Sequence, residues 1–273
     1  MSTARPQTDT ELILEVSDVG HTYGSGETAY QAISDLSFSI STGELVSIVG
    51  PSGAGKTTLL RILAGLLKPT QGTVSLLGKQ VTGVPEGMAM VFQDYSRSLL
   101  PWQRVQKNVL FPLDGSSGSK QERERIAQDA LHAVGLDGHA DKYPWQLSGG
   151  MQQRVAIARA QAYRPRLLLM DEPFASVDAQ TRSGLEDLVL QIRQEYGMTI
   201  LFVTHDIDES VYLADRVLVL SKPPAMLVED VEIALASPRD QISTKENPEF
   251  VHLRGHVARL IRAGGAVNAA AGS

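Results

Sequence analysis

One stretch, Gly50-Pro51-Ser52-Gly53-Ala54-Gly55-Lys56-Thr57-Thr58, constrains this chain more than any other. The apolar run Leu45-Val46-Ser47-Ile48-Val49 precedes it, and a helix-compatible run over residues 59–67 follows it. Strand, glycine loop and helix in that order are the setting a phosphate-binding loop needs. Glycines let the backbone curl until successive N–H groups point inward at phosphate oxygens. The first turn of the helix adds unpaired N–H groups and the positive end of its dipole. Lys56 is then placed to reach the β- and γ-phosphates of a nucleoside triphosphate, and the Thr57 hydroxyl to ligate Mg²⁺.

Composition narrows the class. A chain of 273 residues, 42% hydrophobic and 21% charged, is enough for one large α/β domain or for a core with a subdomain. A net charge of −6 offers no broad basic face for nucleic acid. With no cysteine there is no disulfide and no thiolate metal site, which fits a reducing compartment. No apolar run approaches the ~20 residues of a membrane helix. The polar residues 1–10 lack the apolar stretch of a secretory signal. Any membrane role is therefore expected to be peripheral, through a partner.

Along the chain, residues 1–9 are expected to form a disordered tail. Residues 12–19 and 33–40 alternate as strands do, on either side of a turn-rich stretch over 18–30. Tyr23 falls in that stretch, where ordinary packing is its simplest role. Lys68-Pro69-Thr70-Gln71-Gly72 stops the helix after the phosphate loop. Short strands are expected over 73–77 and 88–92, the second running into Gln93. Leu99-Leu100-Pro101-Trp102 then interrupts a polar loop, either as a small core of its own or as a surface for a partner. Residues 121–134 carry helical spacing. Ser148, Gly149 and Gly150 lead into a helix expected over 151–162. They read either as a second anion site or as an N-cap serine with flexible glycines.

The run Leu167-Leu168-Leu169-Met170 is apolar on both faces, as a central parallel strand is, and it ends in Asp171-Glu172. Two adjacent carboxylates there are hard to explain structurally, because buried unpaired charge is costly. Asp171 is placed to hold Mg²⁺, and Glu172 to orient or deprotonate an attacking water. A helix is expected over 179–196 and a strand over 199–204. His205 follows that strand, on the edge where parallel sheets bind ligands; a histidine that merely starts the next helix is the alternative. A helix over 208–214 and a strand over 216–220 come next. Beyond Ser221 prolines punctuate the chain until a single helix over 248–262, and the small-residue end is expected to be disordered.

In this order the motifs resemble those of the ATPase subunit of ABC transporters. Tyr23 stands where that family has its aromatic adenine platform, and Gly50 to Thr58 form its Walker A. Gln93 matches the Q-loop, Leu147-Ser148-Gly149-Gly150-Met151-Gln152-Gln153 the signature, and residues 167–172 Walker B. Ser176-Val177-Asp178 matches the D-loop and His205 the switch histidine. The signature, lying between the two Walker motifs, decides the open readings of Tyr23, Ser148 and His205. Three stretches are further similar to the nitrate, sulfonate and taurine importer group. They are Leu99-Leu100-Pro101-Trp102, the run from Thr204 to Ser210 with Leu213-Ala214-Asp215-Arg216, and Asn247-Pro248-Glu249-Phe250-Val251. The spacer from Asp94 to Ser98 is longer than that group carries, and Val177 departs from its D-loop.

The resemblance implies an α/β fold with a RecA-like parallel-sheet core, an antiparallel β subdomain and an α-helical signature subdomain. It implies an ATPase domain over residues 12–222, its helical subdomain over 94–162, a tail over 1–11 and a C-terminal extension over 223–273. ATP and Mg²⁺ are the implied cofactors. Tyr23, Gly50, Pro51, Ser52, Gly53, Ala54, Gly55, Lys56, Thr57, Thr58, Gln93, Ser148, Gly149 and Gly150 would hold the nucleotide. Thr57, Gln93 and Asp171 would hold the metal, and Glu172 and His205 would be catalytic. The family also implies a head-to-tail homodimer, in which Ser148, Gly149 and Gly150 of one copy meet the γ-phosphate held by the other. Polytopic membrane permease subunits, a separate solute-binding receptor, and a peripheral place on the cytoplasmic face of the membrane complete the implication, without nucleic acid. A soluble ABC ATPase acting on nucleic acid or ribosomes is the alternative; one cassette without a coiled-coil insertion weighs against it. The signature weighs against a kinase or GTPase. Lys56, Asp171, Glu172 and His205 together weigh against a non-catalytic binding module.

Overall fold

The computed structural model describes residues 11–94, 98–115 and 117–264. The tail expected over 1–9, residues 95–97 of the spacer and the chain end from 265 lie outside the described residues. The strands are β1 (Leu12–Tyr23), β2 (Tyr30–Ser41), β3 (Leu45–Val49), β4 (Gln71–Leu76), β5 (Lys79–Gln80), β6 (Met88–Val91), β7 (Leu167–Asp171), β8 (Thr199–Val203), β9 (Arg216–Leu220) and β10 (Leu227–Glu232). The α-helices are α1 (Lys56–Leu63), α2 (Val105–Leu110), α3 (Lys120–Ala133), α4 (Gly149–Ala162), α5 (Ala179–Tyr196), α6 (Ile207–Leu213), α7 (Ser243–Glu246) and α8 (Pro248–Gly264).

One sheet runs β10-β9-β3-β8-β7-β6, with its strands parallel except for β10, which pairs antiparallel with β9. Every residue of β3, β7 and β8 is buried. Side chains alternate across these strands, so one apolar strand must feed two cores. Leu45 and Val49 of β3 point into a core shared with α3, α4, α5, α6 and α8, whereas Val46 and Ile48 point into the other. β7 divides the same way, with Leu168 and Met170 on the first side and Leu167 and Leu169 on the second. The second core is closed by Leu59, Leu60 and Leu63 of α1 and by the antiparallel sheet β2-β1-β4-β5. Each of these fully buried aliphatic side chains contributes about 1.5–3 kcal/mol. Their summed effect fixes the edge of the sheet on which β3, β7 and β8 all end.

The structure moves several sequence boundaries. β1 continues to Tyr23 instead of ending near Val19, with register shifts against β2 and with Asp18 at φ 50°. A strand that absorbs extra residues as bulges keeps pairing through a stretch whose composition reads as turn. The signature helix α4 starts at Gly149, two residues earlier than its apolar spacing indicates. Ser148 is its N-cap and accepts from Met151 N at 3.3 Å. Gly149 and Gly150 therefore lie in the first turn, because the cap position overrides their poor helix propensity. Beyond Ser221 the chain holds more than one helix. β10 lengthens the main sheet, and the short α7 precedes α8, which packs its Phe250, Leu253 and Val257 into the first core.

The Leu99–Trp102 cluster divides between its two readings. Leu99 is buried in the first core, while Trp102 is 69% exposed. The fully buried Asn108 holds the loop between them. Its Nδ2 donates to the carbonyls of Leu100, Gln103 and Arg104, and its Oδ1 accepts from Leu100 N at 2.7 Å.

Candidate active site

Parallel sheets bind ligands beyond the carboxyl ends of their strands, where loops from neighbouring strands meet. Here β3 delivers Gly50 to Gly55, β7 ends in Asp171 with Glu172 next, β8 is followed by His205, and β6 by Gln93. The loop after β3 curls back onto α1. Gly55 takes φ 79°, and a Cβ there would stand 3.0 Å from Ala32 O, so both backbone and space require glycine. Lys56, the first residue of α1, is only 8% exposed. Its Nζ donates to Gly50 O at 2.9 Å and Pro51 O at 3.0 Å, holding the ammonium inside the loop. Burial pulls the Lys56 ammonium below its ordinary value, and the charges of Glu172 and Asp171 oppose that. Thr57 and Ser52 are exposed beside it.

Asp171 is buried at the end of β7, and its carboxyl is pushed up, first by burial and then by the charge of Glu172. Glu172 has φ 42°, a left-handed conformation that costs a non-glycine residue on the order of 1–3 kcal/mol. Its N–H donates to Val203 O at 2.9 Å, so the strain is held by the neighbouring strand. One carboxylate oxygen of Glu172 gathers two side chains. Gln93 Nε2 donates to Oε2 at 3.2 Å, and His205 Nδ1 lies 3.1 Å from the same oxygen. Gln93, Glu172 and His205 are thus joined although they are remote in sequence. Tyr23, at the end of β1, shares a 3.1 Å hydrogen bond with Thr58 through its hydroxyl. Its ring stands edge-on to His21 at 4.5 Å.

Ser148, Gly149 and Gly150 are not brought into this cluster. Among the described residues, no hydrogen bond links them to the phosphate loop. Their helix approaches Walker B from the side instead. The fully buried Gln153 donates from Nε2 to Pro173 O at 2.7 Å. The His205 turn is fastened by neighbours to which the sequence assigns no role in the site. Asp206 caps α6, accepting from Asp208 N and Glu209 N. Thr204 Oγ1 accepts from Asp206 N at 3.0 Å and donates to the buried Glu209 at 2.6 Å. Arg182, in the first turn of α5, pairs with Asp206 at 3.3 Å and lies 3.6 Å from Glu209. The spacing Asp206-x-x-Glu209 is the capping-box pattern, and it is the signal by which the sequence could have yielded these two acids.

The donor set bears on a metal. Asp171 and Thr57 offer hard oxygen donors beside a loop shaped for phosphates. Among the described residues, no group of three or more His, Cys, Asp or Glu could hold a metal. Such a set suits a cation that takes part of its shell from phosphate oxygens and water.

The chain matches known proteins over most of its length. The family model described as ABC transporter matches residues 33–175. A nitrate import ATP-binding protein of Synechocystis is 41% identical over 254 residues, covering 91% of this chain and 95% of the relative. A taurine import ATP-binding protein of Escherichia coli is 40% identical over 249 residues, covering 90% and 95%. Among solved structures, a dimeric ATP-binding cassette in a post-hydrolysis state with ADP and Pi aligns with a TM-score of 0.71. It is 33% identical, and the alignment covers 81% of this chain and 99% of that one. Among the described residues no helix is long and apolar enough to cross a membrane. With a family model over half its length and relatives aligned nearly end to end, this chain belongs to the ABC transporter family, among its ATP-binding subunits.

Proposed function

We propose that the chain binds and hydrolyses ATP to power an ABC importer for a small anionic solute of the nitrate, sulfonate or taurine type. The observation that carries the catalytic part is the Glu172 carboxylate, which engages Gln93 and His205 on one oxygen beside Lys56 and Asp171. Lys56 binds the β- and γ-phosphates, within the cradle of Gly50, Pro51, Ser52, Gly53, Ala54, Gly55, Thr57 and Thr58. Tyr23 stacks on the adenine. Thr57, Asp171 and Gln93 hold Mg²⁺, which when bound neutralises phosphate charge. Glu172 takes a proton from water as the water oxygen bonds to the γ-phosphorus and the bond to the ADP oxygen breaks, giving ADP and Pi. His205 donates to the γ-phosphate oxygens.

The exposed Ser148 and Gly149, with Gly150 at the start of α4, lie outside this chain's own cluster. This supports a head-to-tail homodimer in which they close the partner's ATP site as a helix N-terminus. ATP then favours closure, and hydrolysis with phosphate release favours opening. The exposed Trp102, on a loop pinned by Asn108, faces polytopic permease subunits, and a separate solute-binding receptor completes the system. The chain works at the cytoplasmic face of the membrane, peripherally and without nucleic acid. It divides into an ATPase domain over residues 12–222, with a helical subdomain over 94–162, and an extension over 223–273. The nitrate and taurine relatives are nearly equal in identity, which supports a small solute bearing an oxyanion group and not one solute within that class.

Glu172→Gln tests the site. It should lower turnover by about 10²–10⁴-fold, the usual worth of a general base, while still binding ATP and accumulating a dimer. Turnover close to wild type would remove Glu172 from its role. Affinity capture from detergent-solubilised membranes tests the partners. A permease with a solute receptor is expected, whereas ribosomes or nucleic acid without a permease would move the chain to the soluble class.

A further inference from the structure

We propose that Thr181 is a positioning residue that sets where Ser148, Gly149 and Gly150 are presented, by close packing against Gly150. The inference rests on the proposed function, in which those residues complete the partner's ATP site. Gly150 is buried in the first turn of α4, and its φ lies outside the left-handed region. The backbone therefore does not ask for glycine there, and the reason is space. A Cβ on Gly150 would stand 2.3 Å from Thr181 Cγ2, far inside contact distance. A threonine methyl can turn away at little cost when nothing holds it. Here both polar groups of Thr181 are held by the D-loop acid that caps α5. The hydroxyl donates to Asp178 Oδ2 at 2.7 Å and the N–H to Asp178 Oδ1 at 3.0 Å. Turning the methyl away turns the hydroxyl off Asp178.

The contact therefore has two anchored sides. On one, α4 is fixed through Gln153 to Pro173, beside Glu172. On the other, Arg182 follows Thr181 in the same turn and pairs with Asp206 and Glu209 around His205. Thr181 thereby references the signature turn to the same helical turn that supports the histidine loop. An added methyl at Gly150 would push the signature turn out of register without touching the residues that bind ATP in its own chain.

The test compares wild type, Gly150→Ala, Thr181→Ser, the double variant Gly150→Ala with Thr181→Ser, and Thr181→Val. It reads ATP affinity, ATP-driven dimerisation and kcat. Serine removes Cγ2 but keeps the hydroxyl on Asp178, so Thr181→Ser should stay within about twofold of wild-type kcat. Gly150→Ala should lose about tenfold or more in kcat and in dimerisation, with ATP affinity of the monomer unchanged. Adding Thr181→Ser to it should restore kcat to within about threefold of wild type. If glycine is needed at 150 for phosphate approach instead, the double variant will stay as impaired as Gly150→Ala, and the inference is overturned. Thr181→Val keeps a methyl and loses the hydroxyl's bond to Asp178 Oδ2, while the backbone N–H keeps its own. A several-fold loss in kcat at unchanged ATP affinity supports the inference, and unchanged kcat in folded Thr181→Val overturns it even where Gly150→Ala does not fold. A wild type that does not hydrolyse ATP would refute the functional reading instead. The contact is then read by thermal melting, where a midpoint lowered by Gly150→Ala and not recovered with Thr181→Ser would reject it.

Discussion

Replacing Glu209 with glutamine should change how stability depends on pH. Glu209 is 4% exposed at the start of α6, where its Oε2 accepts the Thr204 hydroxyl. Burial pushes its carboxyl up from 4.5 to about 7. The Thr204 hydrogen bond opposes that rise, Asp206 and Glu186 add to it, and Arg182 opposes it. The folded chain thus keeps a proton that the unfolded chain releases near pH 4.5. The stability tied to that proton is fully present below pH 4.5 and is lost as pH rises through about 7. At ~1.36 kcal/mol per pH unit, the change is about 3 kcal/mol. Glutamine keeps a carbonyl oxygen for Thr204 and has no proton to release. In urea unfolding measured from pH 4.5 to 8, Glu209→Gln should therefore gain on wild type by about 3 kcal/mol as pH rises. Titrating groups remote from Glu209 are common to both proteins and cancel in the difference. Two curves that run parallel across this range would refute the reasoning, because they would mean that Glu209 is ionised in the folded chain like any surface carboxylate.

Two further outcomes follow from the site. Lys56→Ala removes the charge-assisted bonds of a buried ammonium and should weaken ATP binding at least about tenfold by calorimetry; unchanged affinity would contradict its place on the phosphates. Replacing Leu100 and Trp102 together with alanine should abolish co-purification with the permease while leaving ATPase activity of the isolated subunit intact. Assembly that survives would return this loop to simple packing.

How far the sequence could be read depends on how far apart the interacting residues lie. The strand, loop and helix around Lys56 are contiguous, so their phosphate chemistry is legible from spacing alone. The buried strand ending in Asp171 is legible for the same reason, since a run apolar on both faces needs cover on both. β10 was not. Its residues Val228, Asp230 and Glu232 alternate with sparse apolar partners on a sheet edge, and charge on an edge strand reads as loop. The extension of β1 to Tyr23 depends on bulges that composition does not encode.

The supports of the site were the hardest to read, and the reason is physical. Gln93, Glu172 and His205 announce themselves as motif residues, but what aims them is contact between elements. Gln153 reaches Pro173, Arg182 reaches Asp206, and Thr181 fills the space that Gly150 leaves. Thr181 and Arg182 have no unusual local sequence, since threonine and arginine in a helix are ordinary, and Gln153, although it closes the signature, carries no sign in the sequence of its bond to Pro173. Their meaning comes from burial and from the anchoring of the opposite side. A motif states which groups can do the chemistry, whereas the distance at which two such groups meet is set by residues whose only signature is a contact. In this chain the helix starting at Ala179 collects two of those contacts, through Thr181 and Arg182. Substitutions in its first turn should accordingly change kcat and dimerisation before they change ATP affinity, the opposite of what substitutions in the phosphate loop should do.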